Sequence, residues 1–416
     1  MSDRAALGRL WVLMGTAFID MMGLLIVLPL LPFYAKNMGA NATTIGLLMA
    51  AFSFAQLVTA SLWGKLSDRY GRRPVLLSAL LASAVGYVIF AYADSIALLF
   101  VSRLAQGAGG SMTGVANAYV SDSVAPEDRA KALGWLSAAT NLGVMIGPAI
   151  SALAVTVSPR APGLVAAALC LANVVSAWRW LPESAQPRRE PTAGEPAPRP
   201  SVRRALRRVL SHPTLPVSAV IWIYTAGMMA FFAMNAVLAL YLGHRFGVTE
   251  KTIGWFFTYV GAASIVMRVL VLGPAVRRWG ELGVMRLGML ALALGLATIP
   301  LPAGIPGFAA VVLLIPIGTA LLFPATSSLV SRYAERSEVG QALGIQQSFG
   351  AVSRMVGPVW AGLAFQHLGV STPFWIGSVL MLLALLFLQR TAAQPVGSAA
   401  GAESEVPLET ERVSPQ

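Results

Sequence analysis

Hydrophobic residues run along this chain in long blocks separated by short polar stretches, the pattern of helices that cross a bilayer rather than of a soluble core. An apolar stretch from Leu10 to about Tyr34 is followed by runs at about 43–63, 74–93, 95–120, 132–155, 161–181, 215–242, 251–273, 282–302, 306–330, 341–366 and 371–389. Most reach the roughly 20 residues that a bilayer-spanning helix needs. The pattern predicts an all-α integral membrane protein with twelve transmembrane helices, spans 1 to 12 in chain order. Arg4 and Arg9 precede the first run, which is longer than a signal peptide's apolar region and has no small-x-small cleavage site, so it reads as a retained helix.

One connection breaks the rhythm. Residues 182–214 are rich in Pro and Arg between Pro187 and Pro200, and then carry Arg203, Arg204, Arg207 and Arg208 among Val202, Leu206, Val209 and Leu210. That spacing predicts a short basic amphipathic helix lying on an anionic cytoplasmic leaflet. It separates an N-terminal six-helix bundle (1–181) from a C-terminal one (215–391), and residues 392–416 read as a disordered cytoplasmic tail.

The two halves repeat each other. Ala132-Leu133-Gly134 recurs as Ala342-Leu343-Gly344, Gly147-Pro148 as Gly357-Pro358 and Val120-Ser121 as Val330-Ser331, each 210 residues on (342 − 132 = 210). Gly64 and Gly71 recur as Gly273 and Gly280 at 209 (273 − 64 = 209), and Ile45-Gly46 as Ile253-Gly254 at 208 (253 − 45 = 208). A single glycine match in apolar sequence is weak; several in order predict two pseudo-symmetric bundles around a central pathway, an architecture for moving a solute.

Composition narrows the reading. Of 416 residues 56% are hydrophobic and 12% charged, with a mean hydropathy of +0.69, which excludes a soluble domain. The formal charge of +12 does not indicate nucleic acid, because no solvated basic domain is present. The cations gather instead in alternate loops: Lys65, Arg69, Arg72 and Arg73; Arg129 and Lys131; Arg277 and Arg278; Arg332 and Arg336. The opposite loops hold Lys36, Arg160, Arg245 and Lys251, so the positive-inside rule places both termini in the cytoplasm. A lone Cys170 gives neither a disulfide framework nor a thiolate metal site.

The second cytoplasmic loop reads Gly64-Lys65-Leu66-Ser67-Asp68-Arg69-Tyr70-Gly71-Arg72-Arg73. By itself it is a topology-setting basic loop; its order resembles the signature of the major facilitator superfamily, and the resemblance covers span 1 to span 12. Arg103 with Gln106, Gly107, Gly110 and Gly114 resembles that family's Arg-containing motif in span 4. Gly143-Val144-Met145-Ile146-Gly147-Pro148 resembles the antiporter motif of its proton-coupled drug exporters, although Ala149, Ile150 and Ser151 follow where further glycines are usual. Phe18 to Gly23 with Leu28 to Pro32, and Ala118 to Asp122, look like the tetracycline-efflux type of twelve-span drug:proton antiporter. Ser264 and Leu292 fall where those exporters have polar and acidic positions in spans 8 and 9, a departure that disfavours tetracycline itself as the solute. In residue terms, Gly143 and Gly147 offer a small-xxx-small packing surface and Pro148 a bend, which serve helix packing equally well.

Charges within the spans point to the chemistry, since each is costly unless it meets a partner or an aqueous path. Asp20, about 15 Å into span 1, is the only acid deep in any span and the candidate proton carrier, with Arg103 as its modulator or permanent ion-pair partner. Arg354, about 20 Å into span 11, shares a face with Gln347, Gly350 and Gly357 and is the candidate for a substrate's negative group. Arg268, about a turn from the end of span 8 as the apolar run defines it, either joins that site or snorkels. Gln56, Asn235, Asn117, Asn141, Tyr224, Gln346 and Gln347 either line the cavity or hydrogen-bond between helices. Asp68 and Asp122 sit at cytoplasmic helix ends and suit a gate of charge pairs. His212, His244 and His367 all lie in or beside loops.

These features predict a transporter in the cytoplasmic (inner) membrane that exports a small amphipathic molecule, anionic or zwitterionic, by proton antiport with alternating access. A symporter or facilitator importing an organic anion has the same signature. A membrane-embedded enzyme lacks a nucleophile, base or metal-ligand set in the spans. The expected partners are a small-molecule substrate, protons and the lipid bilayer, without nucleic acid, cofactor or metal, and the expected state is a monomer.

Overall fold

In a computed structural model the described residues are 3–110, 116, 119–120, 124, 128–183, 202–335 and 338–392. Among them the regular elements are all helices. Span 1 is α1 (Asp3–Val27) followed by α2 (Leu31–Asn37), parted at Leu28-Pro29-Leu30, with a proline in the first turn of α2 where its missing N–H costs little. Next come α3 (Ala42–Tyr70), α4 (Arg72–Ala91), α5 (Ile96–Gly109), α6 (Arg129–Val157) and α7 (Ala161–Trp180). After the short α8 (Val202–Ser211) follow α9 (Pro216–Phe246), α10 (Glu250–Val266), a π-helical turn at Met267–Val271, and α11 (Leu272–Thr298). The last four are α12 (Ile305–Val312), α13 (Leu314–Tyr333), α14 (Val339–His367) and α15 (Thr372–Ala392).

Nine helical stretches are long and apolar enough to cross a membrane, and one of them, Glu250–Thr298, holds spans 8 and 9 joined at Gly280. With α5, the described part of span 4, and α14, whose Gln346, Gln347 and Arg354 make it more polar, the helices number twelve. The apolar run that ends near 273 understates span 8. Gly273-Pro274 reads as a terminator, yet the helix continues through the π turn to Gly280, whose φ of 66° and ψ of 171° make the bend. Gly71, between spans 2 and 3, has φ 98° and ψ 161°, so the repeat is carried by backbone conformation as well as by sequence. Only glycine takes these angles without strain.

The buried apolar residues divide into two cores. One gathers residues from Leu13 to Leu181 with Ala236 and Leu240; the other runs from Val209 to Leu388 and borrows Leu30, Phe33 and Val155. Helix α8 belongs to the second. Val209 is buried there, its carbonyl accepts from Trp222 Nε1 at 3.1 Å, and the four arginines of α8 with Leu206 and Leu210 stay exposed.

Among the described residues the tightest backbone contacts between the halves lie toward one end. A methyl group on Gly46 in α3 would overlap the carbonyl of Pro358 in α14, and one on Gly254 in α10 would overlap the carbonyl of Pro148 in α6. These contacts are the same contact made twice, by residues that correspond in the repeat. Nearby, Thr43 Oγ1 donates to Gln366 Oε1 at 2.7 Å, and Gly362 lies against Ala42. Toward the end that carries α8, the corresponding glycines Gly64, Gly134, Gly273 and Gly344 face nothing within 4 Å. Among the described residues the halves are in close contact at the far end, and these glycines border open space at the α8 end.

Replacing Gly46 or Gly254 by Ala therefore pries the far end apart, while Gly64→Ala leaves it closed. Labelling of Ala42→Cys, half-buried against Gly362, by a membrane-impermeant maleimide reads this, because the native Cys170 is buried. Several-fold faster labelling in the first two variants only is expected, at a stability cost of about 1–3 kcal/mol.

Candidate functional site

In the N-terminal half, α1, α3, α4 and α5 surround a space of about 240 Å³, part of it open, lined by Asp20, Phe52, Gln56, Tyr87, Gln106 and Gly110 among others. Gly86 lets α4 and α5 approach until a methyl there would stand 2.8 Å from Gln106 Cγ. Arg103, 1% exposed, lies beneath this space. Its Nη1 donates to Gln106 Oε1 at 2.7 Å, its guanidinium sits 4.7 Å from the Phe52 ring centroid, and its buried Nε has no partner. Asp20 and Arg103 form no ion pair with each other, so of the two relations the sequence left open the permanent pair is not made. Tyr87 is within electrostatic reach of both, and its ring tip rests on Gly23, where a methyl would stand 3.3 Å from Tyr87 Oη.

In the C-terminal half, half-buried Arg354 of α14 lies beside Tyr224 of α9, which also faces Gln347. Gly350 makes the seat: a methyl there would stand 2.9 Å from Tyr224 Cε1. Tyr224 and Phe231 each pack edgewise on Phe323, with centroids 5.7 and 6.1 Å away, so a cation, an amide and aromatic faces converge. The acids of this half, Glu250, Glu281, Glu335 and Glu338, stand at the ends of spans or beside them.

The other polar candidates separate. Asn235 Nδ2 donates to Phe231 O at 2.8 Å and Asn141 Nδ2 to Ser137 O at 2.7 Å, bonds within their own helices. Gln56 Nε2 donates to Gly110 O at 2.7 Å while still lining the Asp20 space. Gln346 is fully buried, with neither amide atom paired. Arg268 does not sit a turn from its helix end: the helix runs on to the bend at Gly280, about 18 Å further along at 1.5 Å per residue. Asn117 and Asp122 fall outside the described residues.

At the α8 end, Asp68 pairs with Arg72 at 2.8 Å, and Arg72 Nη1 donates to Ser67 Oγ at 3.0 Å. The Arg69 guanidinium lies over Tyr70, and Arg73 Nη2 donates to the Trp178 carbonyl. Glu183, just past α7, accepts from the backbone N–H groups of Arg72 at 2.7 Å and Arg73 at 3.2 Å, capping the start of α4. Gly71 is required for its positive φ, and a side chain there would displace the Glu183 carboxylate from the cap. In the second half Glu281 holds Arg332 at 3.0 Å and Ser328 Oγ at 2.6 Å. The antiporter-like segment packs α6 on α1: a methyl on Gly147 would stand 2.7 Å from Met22 O. Ser353 and Gly357-Pro358 repeat that arrangement on α9, where Ser353 Oγ donates to Thr225 O at 3.1 Å and Gly357 faces Met229 O.

The model of the Major Facilitator Superfamily matches residues 13–245 and 220–414. The chain belongs to the major facilitator superfamily. Among its relatives, the class C tetracycline resistance protein of Escherichia coli is 30% identical over 403 residues, 92% of this chain and 96% of that protein. Multidrug resistance protein 2 of Bacillus subtilis (strain 168) is 27% identical over 379 residues, 90% of this chain and 92% of that one. The crystal structure of the human organic anion transporter MFSD10 (TETRAN) shares the fold at a TM-score of 0.69 and 22% identity, covering 94% of this chain and all of that one. This superfamily member is thus a multi-pass transporter similar to drug-resistance proteins, not an enzyme.

Three of this transporter's residues escaped the sequence reading. Glu183 and Glu281 stand in short connections and Tyr87 within an apolar run, where residue type alone singles out none of them. The offset of the repeat was the available signal for Glu281, since it follows Gly280, the counterpart of Gly71. Glu183→Gln removes a charged cap from α4, so its melting midpoint in detergent falls by several degrees, about 1–2 kcal/mol, and Glu183→Ala falls further. Equal midpoints for wild type and Glu183→Ala contradict the capping assignment.

Proposed function

We propose that this transporter exports a small amphipathic molecule, anionic or zwitterionic, across the cytoplasmic membrane by proton antiport with alternating access. Both termini lie in the cytoplasm by the positive-inside rule, and the protein works as a monomer. The observation that carries the reading is Asp20, a carboxyl group that lines the space between helices and has no ion-pair partner among the described residues. A carboxyl locked to an arginine keeps its charge; one facing an aqueous path exchanges a proton as the path opens to either side.

With the α8 end in the cytoplasm, the open space there faces inward, and solute enters between the halves. Its apolar body meets Phe323, Phe231 and Phe52, and its negative group meets Arg354, steadied by Tyr224 and Gln347. Arg103 sets the field around Asp20 through Tyr87. Closing the inner end regroups Asp68 and the cations of residues 64–73, Asp122 included, and opens the far end for release and proton uptake. The named relatives support export of drug-like molecules; the lack of a deep acid in the second half supports an anionic or zwitterionic solute rather than a cation. Import of an organic anion by symport or facilitation is the second reading, favoured by the same Arg354 and opposed by the efflux role of the relatives.

Proteoliposomes with an acidic lumen, presented with anionic, zwitterionic and cationic amphiphiles while lumenal pH is recorded, decide between them. Wild type releases protons on addition of an anionic or zwitterionic compound, and Asp20→Asn does not. Arg354→Gln raises the half-saturating concentration about tenfold, roughly 1.4 kcal/mol. Solute movement without proton movement in wild type refutes antiport.

A further inference from the structure

Spans 2 and 8 are counterparts in the repeat, yet they differ in length by one residue. Both have structurally equivalent ends: Gly46 and Gly254 make the paired carbonyl contacts, and Gly71 and Gly280 make the paired turns. Between these marks span 2 takes 25 steps (71 − 46 = 25) and span 8 takes 26 (280 − 254 = 26). An α-helix cannot absorb an extra residue between fixed ends without rotating one of them by about 100°. Span 8 absorbs it locally. The π-helical turn at Met267–Val271 lies inside this interval, and a single wide turn is how a helix accommodates one surplus residue.

Arg268 stands in that turn. Counting back by 208 or 209, it matches Ala60 or Thr59 of span 2, and the polar Gln56, one turn earlier, matches Ser264. In span 2 this face serves the cavity side: Gln56 lines the Asp20 space, and Thr59 Oγ1 and Trp63 Nε1 reach the Ala108 carbonyl of α5. Gly261, two turns before Arg268, packs across the central interface on Met145 of α6, where a methyl would stand 3.3 Å from Met145 Cα. Arg268 itself is half-buried, with no hydrogen bond or ion pair among the described residues, and its Nε is shut away from water without a partner. No acid of the second half stands deep in a span to neutralise it.

We infer that the inserted residue makes a binding element: the π turn presents Arg268 to the central cavity as a second contact for the substrate's anionic group, a carboxylate, sulfonate or phosphate. The inference rests on the anionic-solute reading and extends it. An unpaired guanidinium at this depth destabilises the empty protein, and a bound anion relieves it; Arg354 alone does not require a broken helix.

The test is thermal unfolding of the full-length protein in nanodiscs, with 2-naphthoate and its neutral analogue 2-naphthamide as probes, for wild type, Arg268→Gln, Arg268→Lys and deletion of Met267. Deletion restores 25 steps and moves Arg268 off its face by about 100°. Expected is a midpoint rise with naphthoate in wild type, a several-fold weaker apparent affinity in Arg268→Gln and in the deletion, and an intermediate value in Arg268→Lys, which keeps charge without the bidentate fork. Without ligand, Arg268→Gln melts at or above wild type, the sign opposite to loss of a structural contact. Unchanged naphthoate affinity in Arg268→Gln, or a lower ligand-free midpoint, overturns the role of Arg268 while leaving the anionic reading standing. Naphthamide stabilising wild type as well as naphthoate, or neither probe stabilising it, overturns the anionic reading together with this inference.

Discussion

A glycine backbone seated on a proline carbonyl, made once by Gly46 on Pro358 and again by Gly254 on Pro148, is the contact on which the arrangement of the two halves depends. In a bilayer there is little hydrophobic gain in bringing helices together, because lipid is as apolar as leucine, so association relies on close packing. A helix backbone approaches another this closely only where a side chain is missing. Each partner helix carries a proline at this point, which removes one of its backbone hydrogen bonds and favours a bend there, and the proline carbonyl is the atom the glycine meets. Because the contact is duplicated by the internal repeat, the halves meet along two parallel seams rather than at a point. The seams occupy one end of the spans, and at the opposite end the corresponding glycines border open space.

The same repeat distributes charge unequally. The first half holds a carboxyl and a guanidinium in neighbouring surroundings, with Tyr87 between their fields; the second holds Arg354 and Arg268 and no deep acid. Two structurally similar bundles thus offer different chemistry to whatever lies between them, one side titratable and the other permanently cationic. A guanidinium stays charged even where burial is costly, and it offers a planar fork to a carboxylate or phosphate. That division of labour comes from side chains at matched backbone positions, without a change in fold.

Much of the architecture was legible before any coordinates. Twelve apolar runs, the alternation of Arg and Lys between loops and the glycine offsets together define two related bundles, because lipid demands long uninterrupted helices and the repeat preserves its glycines. Asp20 stood out for the same reason: a deep charge is rare. What was hidden is instructive. Gly273-Pro274 carries the punctuation of a helix end, but membrane helices tolerate it, so span 8 was cut short and Arg268 misplaced. The change in offset from 208 to 209 was in the sequence, and only the π turn gives it meaning. Glu183 acts across 111 residues on Arg72, a partnership no local pattern encodes. Opposite charge left Asp20 and Arg103 open to a permanent pair or a looser influence; they form no ion pair, and Tyr87 lies within electrostatic reach of both.

Helix α8 and Glu183 fix two points of the connection between the halves, one on α9 through Trp222 and Val209, the other at the start of α4. Eighteen residues lie between Glu183 and Val202 (202 − 183 − 1 = 18), and the steps from one to the other reach up to about 65 Å at 3.3–3.6 Å per residue. That is longer than the thickness of a bilayer, roughly 40 Å with its headgroups. A connection of that reach keeps the halves in one molecule without itself setting a short limit on how far apart its two fixed points can stand, so the restraint on the halves comes from the helix seams described above.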